Sequence, residues 1–213
     1  SPDPVAATVL ANQTWALHED AAGRIWVGSV RAGSAWRDEF GRWHGVPGAS
    51  AAPQQLYYAT VRAFLEFAPG RMWIATDGAG IVDYVVGEAR ARDIVHDQAV
   101  PSSLPGNTVR ALLRDRSGNI WAATDLGIAR HNTLARTALT LQPSPVTPHS
   151  LADGNVSSLM TDSRGRVWAG LGEGRIDVLD PAHGTIRHLR HSEQLGQRET
   201  LSLFDADHRV LAQ

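Results

Sequence analysis

Cysteine is absent from the 213 residues, and so is lysine: all 20 basic side chains are arginine. The first absence excludes disulfides, thiolate metal sites and a cysteine nucleophile. The second excludes Schiff-base chemistry and a phosphate-loop lysine. No apolar run approaches the roughly 18 residues that mark a membrane-spanning helix. Charge of one sign is not in excess either. Twenty basic against 22 acidic groups leave a formal net charge of −2, which argues against nucleic acid as a partner. No export signal is visible within the sequence, and a chain that starts with Ser1 and not Met reads as a processed or excised piece, so the absent signal says nothing about location. What remains is an ordinary soluble composition, 43% apolar and 20% charged, in which 20 Gly and 7 Trp stand out.

The Trp residues carry a repeat. Trp26, Trp73, Trp121 and Trp168 are 47, 48 and 47 residues apart, and Gly23, Gly70, Gly118 and Gly165 each precede a Trp by three. The segments read DAAGRIWVGS, FAPGRMWIAT, DRSGNIWAAT and DSRGRVWAGL. Asp20, Asp115 and Asp162 sit three residues before the Gly, with Phe67 in their place once. A degraded fifth start appears at DADHRVLAQ, with Asp205 in register and Leu211 where Trp belongs.

One unit reads as antiparallel β. Val109 to Arg114 is a short apolar-rich strand. Asp115-Arg116-Ser117-Gly118 is a turn, since Asp accepts from following amides and Gly supplies a positive φ. Ile120 to Thr124, Ile128 to His131 and Ala135 to Leu141 are the next strands, joined by hairpin turns. Four short strands every ~47 residues without helical periodicity is the pattern of a β-propeller blade. The expected architecture is all-β: blades at 12–46, 60–95, 108–142 and 156–190, and a fifth begun at 199–213. Residues 1–11, with Pro4 to Leu10 read as a strand, would come from a preceding blade. The recurrent Trp packs between neighbouring blades. The linkers SSLPGNTV and HSLADGNV place Asn107 and Asn155 in one slot, which Asn12 also fits; an Asn there caps backbone groups of the bend.

The unit V-x-A-L-x-x-D-x-x-G-x-I-W-x-x-T-x-x-G-I/L, with S-L-x-x-N-x-V before it, resembles the two-component regulator propeller repeat. Ser103 to Ile128 and Ser150 to Ile176 carry the resemblance best, and it extends over 12–213. It implies a seven-bladed propeller exported to the periplasm, followed in its receptor by a membrane helix and a histidine kinase or diguanylate cyclase. Blade one departs from the pattern with Ser29 for Thr and with Trp36; blade four departs with Leu171 and Arg175. Seven blades of this period need roughly 330 residues, so the chain reads as a fragment of such a ring.

Propeller ligands use the face where interblade loops and the turns between second and third strands converge. Trp15, Arg62, Arg110 and Ser157 hold equivalent positions early in the inner strands and differ while their neighbours repeat. Arg62 and Arg110 suit a carboxylate, phosphate or sugar acid, and Trp15 suits a sugar ring. Solvated arginines paired with nearby acids fit the same sequence. The turns add Arg31, Asp77, Asp125 and Glu173, where turn formation by the aspartates is the simpler role. His188 and His191, with His183 nearby, are three residues apart and fall on opposite faces of a strand, so they are not a metal pair.

The expectation is a non-catalytic sensory propeller, periplasmic, with no metal and no cofactor. It binds a small solute, a sugar or acidic metabolite, or relays signal through domain contacts. It meets the membrane only through segments outside this chain and self-associates within the full receptor. One rival is a propeller lyase or lactonase with a metal-assisted site of His and Glu, against which His18 is the only His of a first strand in the four good blades. Another is a protein-binding scaffold with an aromatic patch around Tyr57, Tyr58 and Trp43.

Overall fold

The computed structural model describes residues 3–47, 59–134, 137–147 and 150–189, and the backbone of 203–204 and 210–212. A helix, α1 (Pro4–Leu10), comes first. Blade 1 is β1 (Thr14–Glu19), β2 (Ile25–Ser29), β3 (Ser34–Arg37) and β4 (Trp43–Gly45). Blade 2 is β5 (Thr60–Ala68), β6 (Arg71–Asp77), β7 (Ile81–Val85) and β8 (Arg92–Ile94). Blade 3 is β9 (Val109–Arg114), β10 (Ile120–Thr124), β11 (Gly127–Asn132) and β12 (Thr137–Leu141). Blade 4 is β13 (Val156–Thr161), β14 (Val167–Leu171), β15 (Ile176–Asp180) and β16 (Thr185–Leu189). Each is an antiparallel meander whose strands pair in chain order. Another antiparallel pair, β17 (Leu203–Phe204) and β18 (Val210–Ala212), begins a fifth unit. First strands lie side by side, β1 against β5, β5 against β9 and β9 against β13. The fold is an all-β array of propeller blades.

Apolar side chains fill the seams between blades. Trp26, Trp36 and Val46 of blade 1 pack with Val61, Met72, Ile74 and Tyr84 of blade 2. Trp73 and Ala75 meet Val109, Ile120 and Ala122. Trp121 and Ala123 meet Val156, Val167 and Ala169. Trp26, Trp73 and Trp121 therefore face the next blade, and burying one indole contributes roughly 4–6 kcal/mol as an upper bound. Gly28 has a specific reason to be Gly: a Cβ there would lie 2.4 Å from Cγ1 of Val61.

The repeated Asp does two jobs. Asp115 Oδ1 accepts from the amides of Ser117 and Asn119, each at 2.9 Å, which closes the turn. Its Oδ2 accepts from the Trp121 indole at 2.8 Å and from Asn119 Nδ2 at 2.9 Å. Asp20 and Asp162 repeat the arrangement with Trp26 and Trp168, and Arg24 and Arg166 replace Asn119 as the extra donor. Where Phe67 replaces Asp, its ring packs 4.9 Å from Trp73. The buried Trp73 Nε1 then has no partner among the described residues. Arg71, at the place of Arg24, turns instead to Asp83, with contacts of 2.7 and 2.5 Å.

Residues Pro4–Leu10 form a helix, which corrects the expected strand of a preceding blade. Asp3 Oδ1 accepts from the amides of Val5 at 2.8 Å and Ala6 at 3.2 Å, and Pro4 stands in the first turn, where it gives up no hydrogen bond. Ala6 and Val9, three residues apart, share one face and are buried on Val27 and Ala35 of blade 1. That spacing is helical; the apolar run alone did not separate the two periods. Asp3 Oδ2 accepts from the Gly45 amide at 2.9 Å and ties the helix to β4.

Candidate site at the blade mouths

The inner strand of each blade carries a β-bulge at the same place. Thr14 pairs with Ser29 and Ala16 with Gly28, leaving Trp15 as the extra residue. Val61 pairs with Thr76 and Ala63 with Ala75, leaving Arg62. Val109 pairs with Thr124 and Ala111 with Ala123, leaving Arg110. Val156 pairs with Leu171 and Ser158 with Gly170, leaving Ser157. The four residues singled out by their variability are thus the four bulge residues. A bulge releases its side chain from the in-and-out alternation that packs the rest of the strand, so these positions vary while their neighbours repeat.

Turns between second and third strands meet the same region. The Val30 amide donates to Gln13 O at 2.8 Å, and that of Gly33 to Ala59 O at 3.3 Å. Gly80 donates to Asn107 O at 2.8 Å and Gly172 to Asn155 O at 2.9 Å. Each turn is sewn to the segment that leads into an inner strand.

Blades 1 and 2 bring four of the expected residues together. The Arg62 guanidinium lies over the Trp15 ring, 4.8 Å from its centre, and ion-pairs with Asp77. Arg62 Nε is buried without a partner among the described residues. Trp15 remains 54% exposed. Arg31 joins through its backbone, whose N–H donates to Thr60 Oγ1 at 3.3 Å.

The other expected residues form separate contacts. Arg110 donates to Asn155 Oδ1. Ser157 Oγ donates to Gly170 O at 3.1 Å. Glu173 pairs with Arg175, whose guanidinium it holds more firmly protonated, and Arg175 also lies 3.7 Å from Asp153. Asp125 sits against Gly106, with Oδ1 buried and unpartnered among the described residues. The partners Asn155, Asp153 and Arg175 carried no distinct signal as site residues, because the pairings depend on how neighbouring turns meet.

Arg31 and Glu173 are the two non-glycine residues with positive φ among those described, both at +57°. The left-handed region costs an ordinary residue about 1–2 kcal/mol. Each stands five residues after its Trp, where blade 2 has Gly78 at φ +95°.

Of the linker asparagines, Asn107 caps as expected, accepting from the His96 amide at 2.7 Å. Asn12 instead donates to Thr8 O at 2.7 Å at the end of α1. His18 packs on Phe64 of blade 2 at 6.4 Å, away from the mouth. His188 Nδ1 lies 2.6 Å from the buried Asp177, and His183 pairs with Asp180 at 2.9 Å. His191, Tyr57 and Tyr58 lie outside the described residues, and Trp43 packs beneath α1. Among the described residues no group of three His, Asp or Glu could hold a metal ion.

A concavity unforeseen from sequence lies at the rim between blades 1 and 2. It encloses about 430 Å³ and is lined by Asp3, Trp36, His44, Tyr84 and Glu88 among others. Trp36, the departure noted in blade 1, stacks on His44 at 4.3 Å, and His44 Nε2 lies 2.9 Å from Asp38.

Comparison with known proteins fits this architecture. Residues 8–31, 103–125 and 150–172 match the sequence profile of the two component regulator propeller family. No curated protein sequence matches. The extracellular domain of the hybrid two component system BT3049 from B. thetaiotaomicron superposes with a TM-score of 0.69 at 18% identity, over 84% of this chain and 25% of that one. The corresponding domain of BT4673 gives 0.62 at 18%, over 83% and 24%. Virginiamycin B lyase from Staphylococcus aureus, solved with quinupristin, gives 0.58 at 12%, over 85% and 57%. At these identities the likeness is one of fold, and the chain spans about a quarter of the length of the two-component neighbours. No helix among the described residues is long and apolar enough to cross a membrane. Three segments of this chain, one each at the starts of blades 1, 3 and 4, match the two component regulator propeller repeat.

Proposed function

We propose that the chain is part of the extracytoplasmic sensory propeller of a transmembrane signalling protein, and that it binds a small solute at the mouth of blades 1 and 2. The observation that carries this is the row of bulges. Each blade departs from regular pairing at one equivalent point, and in blades 1 and 2 that point presents an exposed indole beside an arginine–aspartate pair. Packing leaves the bulge residues free to differ from blade to blade, and positions free in this way are available for recognition. The fold shared with extracellular domains of two-component systems supports the location and the signalling role.

The chain itself carries no chemistry in this reading. Solute binding favours one arrangement of receptor domains through its differential affinity, and catalytic output belongs to kinase or cyclase segments elsewhere in the protein. A thermal-shift screen of sugars, sugar acids and amino acids tests it. At least one compound should stabilise the chain, and Trp15→Ala should abolish that shift. Silence across a broad library contradicts the reading. The lyase neighbour keeps an enzymatic reading in view, which metal-dependent turnover of a lactone or macrocycle would establish.

A further inference from the structure

We infer that Arg31 is the anion-recognising group of the mouth of blades 1 and 2, and that the ligand is a small carboxylate carried on a ring; this rests on the solute-binding reading above. The sequence favours Arg62 and Arg110 for that task, but the structure commits both. Arg62 pairs with Asp77 and lies on Trp15, and Arg110 donates to Asn155. Arg175, on the same side of blade 4, is shared between Glu173, Asp153 and the carbonyl of Ala152. Arg31 is exposed, and among the described residues its guanidinium has no partner.

Its backbone gives a second, independent argument. Arg31 holds φ +57°, in the left-handed region, where its counterpart in blade 2 is a glycine, Gly78 at φ +95°. Glu173 holds the same conformation, with its carboxylate committed to Arg175. An unpaired charged side chain kept at a strained turn serves no packing purpose there, and such strain gathers at ligand-contacting positions. The turn is fixed on both sides, through Val30 N–H to Gln13 O at 2.8 Å and Arg31 N–H to Thr60 Oγ1 at 3.3 Å. Those bonds set Arg31 between the starts of β1 and β5, the strands that carry Trp15 and Arg62. Arg62 covers one part of the indole, and the 54% of Trp15 left exposed offers a flat apolar surface. A ring on the indole and a carboxylate on the fork of Arg31 satisfy both groups at once.

The test is calorimetric titration of the chain at fixed ionic strength with glucuronate and benzoate, and with glucose and benzyl alcohol as uncharged counterparts. At least one carboxylate should bind ten times or more tighter than its counterpart, and which one binds identifies the ring. Arg31→Gly should weaken binding at least tenfold while leaving the melting temperature equal or higher, because glycine suits φ +57°. Trp15→Ala should weaken it as well. Unchanged affinity in Arg31→Gly, equal binding of the uncharged rings, or no binding of either carboxylate at millimolar concentration overturns the assignment. A screening ligand that is lost in Trp15→Ala and unaffected by Arg31→Gly removes Arg31 and leaves the solute-binding reading standing. Absence of any ligand for the wild-type chain removes both.

Discussion

The indole nitrogen of Trp121 donates to Oδ2 of Asp115 at 2.8 Å, across six residues of chain. This bond joins the turn that ends the first strand to the residue that packs against the next blade. Asp115→Ala leaves the indole N–H and two turn amides without their acceptor. It should destabilise the chain by about 2–4 kcal/mol in denaturant unfolding. Asp115→Asn keeps one acceptor oxygen but turns an NH2 donor toward either the turn amides or the indole and Asn119 N–H groups, so it should recover only part of that loss.

Acid should weaken the fold through the same motif. Burial raises the Asp162 carboxyl, but hydrogen bonds from the Trp168 and Arg166 side chains and from the Arg166 and Arg164 amides outweigh it and lower the pKa to about 2. A depressed carboxyl contributes stability that is fully present above its unfolded value of 3.8 and is lost as pH falls through the folded value. The contribution is about 2 kcal/mol. Asp20 is lowered in the same way, against the same opposing burial. Unfolding free energy measured from pH 5 to pH 2 should fall, and Asp162→Asn should flatten that slope.

Close approach of blades 1 and 2 predicts a sensitive glycine. In Gly28→Ala the new methyl meets Val61 at 2.4 and 2.7 Å. Blade 2 must shift or Val61 must leave its rotamer, at a cost of about 1–3 kcal/mol. Gly170→Ala at the matching place in blade 4 meets the rotatable Ser158 hydroxyl first, so its thermal shift should be smaller.

Much of this was legible in the sequence. Spacing gives one four-stranded unit per repeat, and the strands Val109–Arg114 and Ile120–Thr124 fall where the turn chemistry puts them. The turn role of Asp115 was visible; its bond to Trp121 was not, because both oxygens can be spent on amides in a sequence reading. Trp15, Arg62, Arg110 and Ser157 stood out by variability, but the cause, a bulge in each inner strand, depends on register. Arg62 and Asp77 were named separately. Their pairing follows from Thr60 lying opposite Asp77, with the bulge two residues on. Seven residues are too few for the apolar run of α1 to separate a helical from a strand period, and the signal that does so is Asp3-Pro4, a cap followed by a first-turn proline.

The central claim is that solutes are read at the mouth of blades 1 and 2, and the indole N–H resonances of the seven Trp residues test it most directly. With Trp15 assigned by Trp15→Phe, a solute that stabilises the chain should shift the Trp15 resonance saturably. The signals of Trp26 and Trp121, buried and bonded to Asp20 and Asp115, should stay in place. A stabilising solute that leaves Trp15 unmoved while perturbing other indoles would contradict the account.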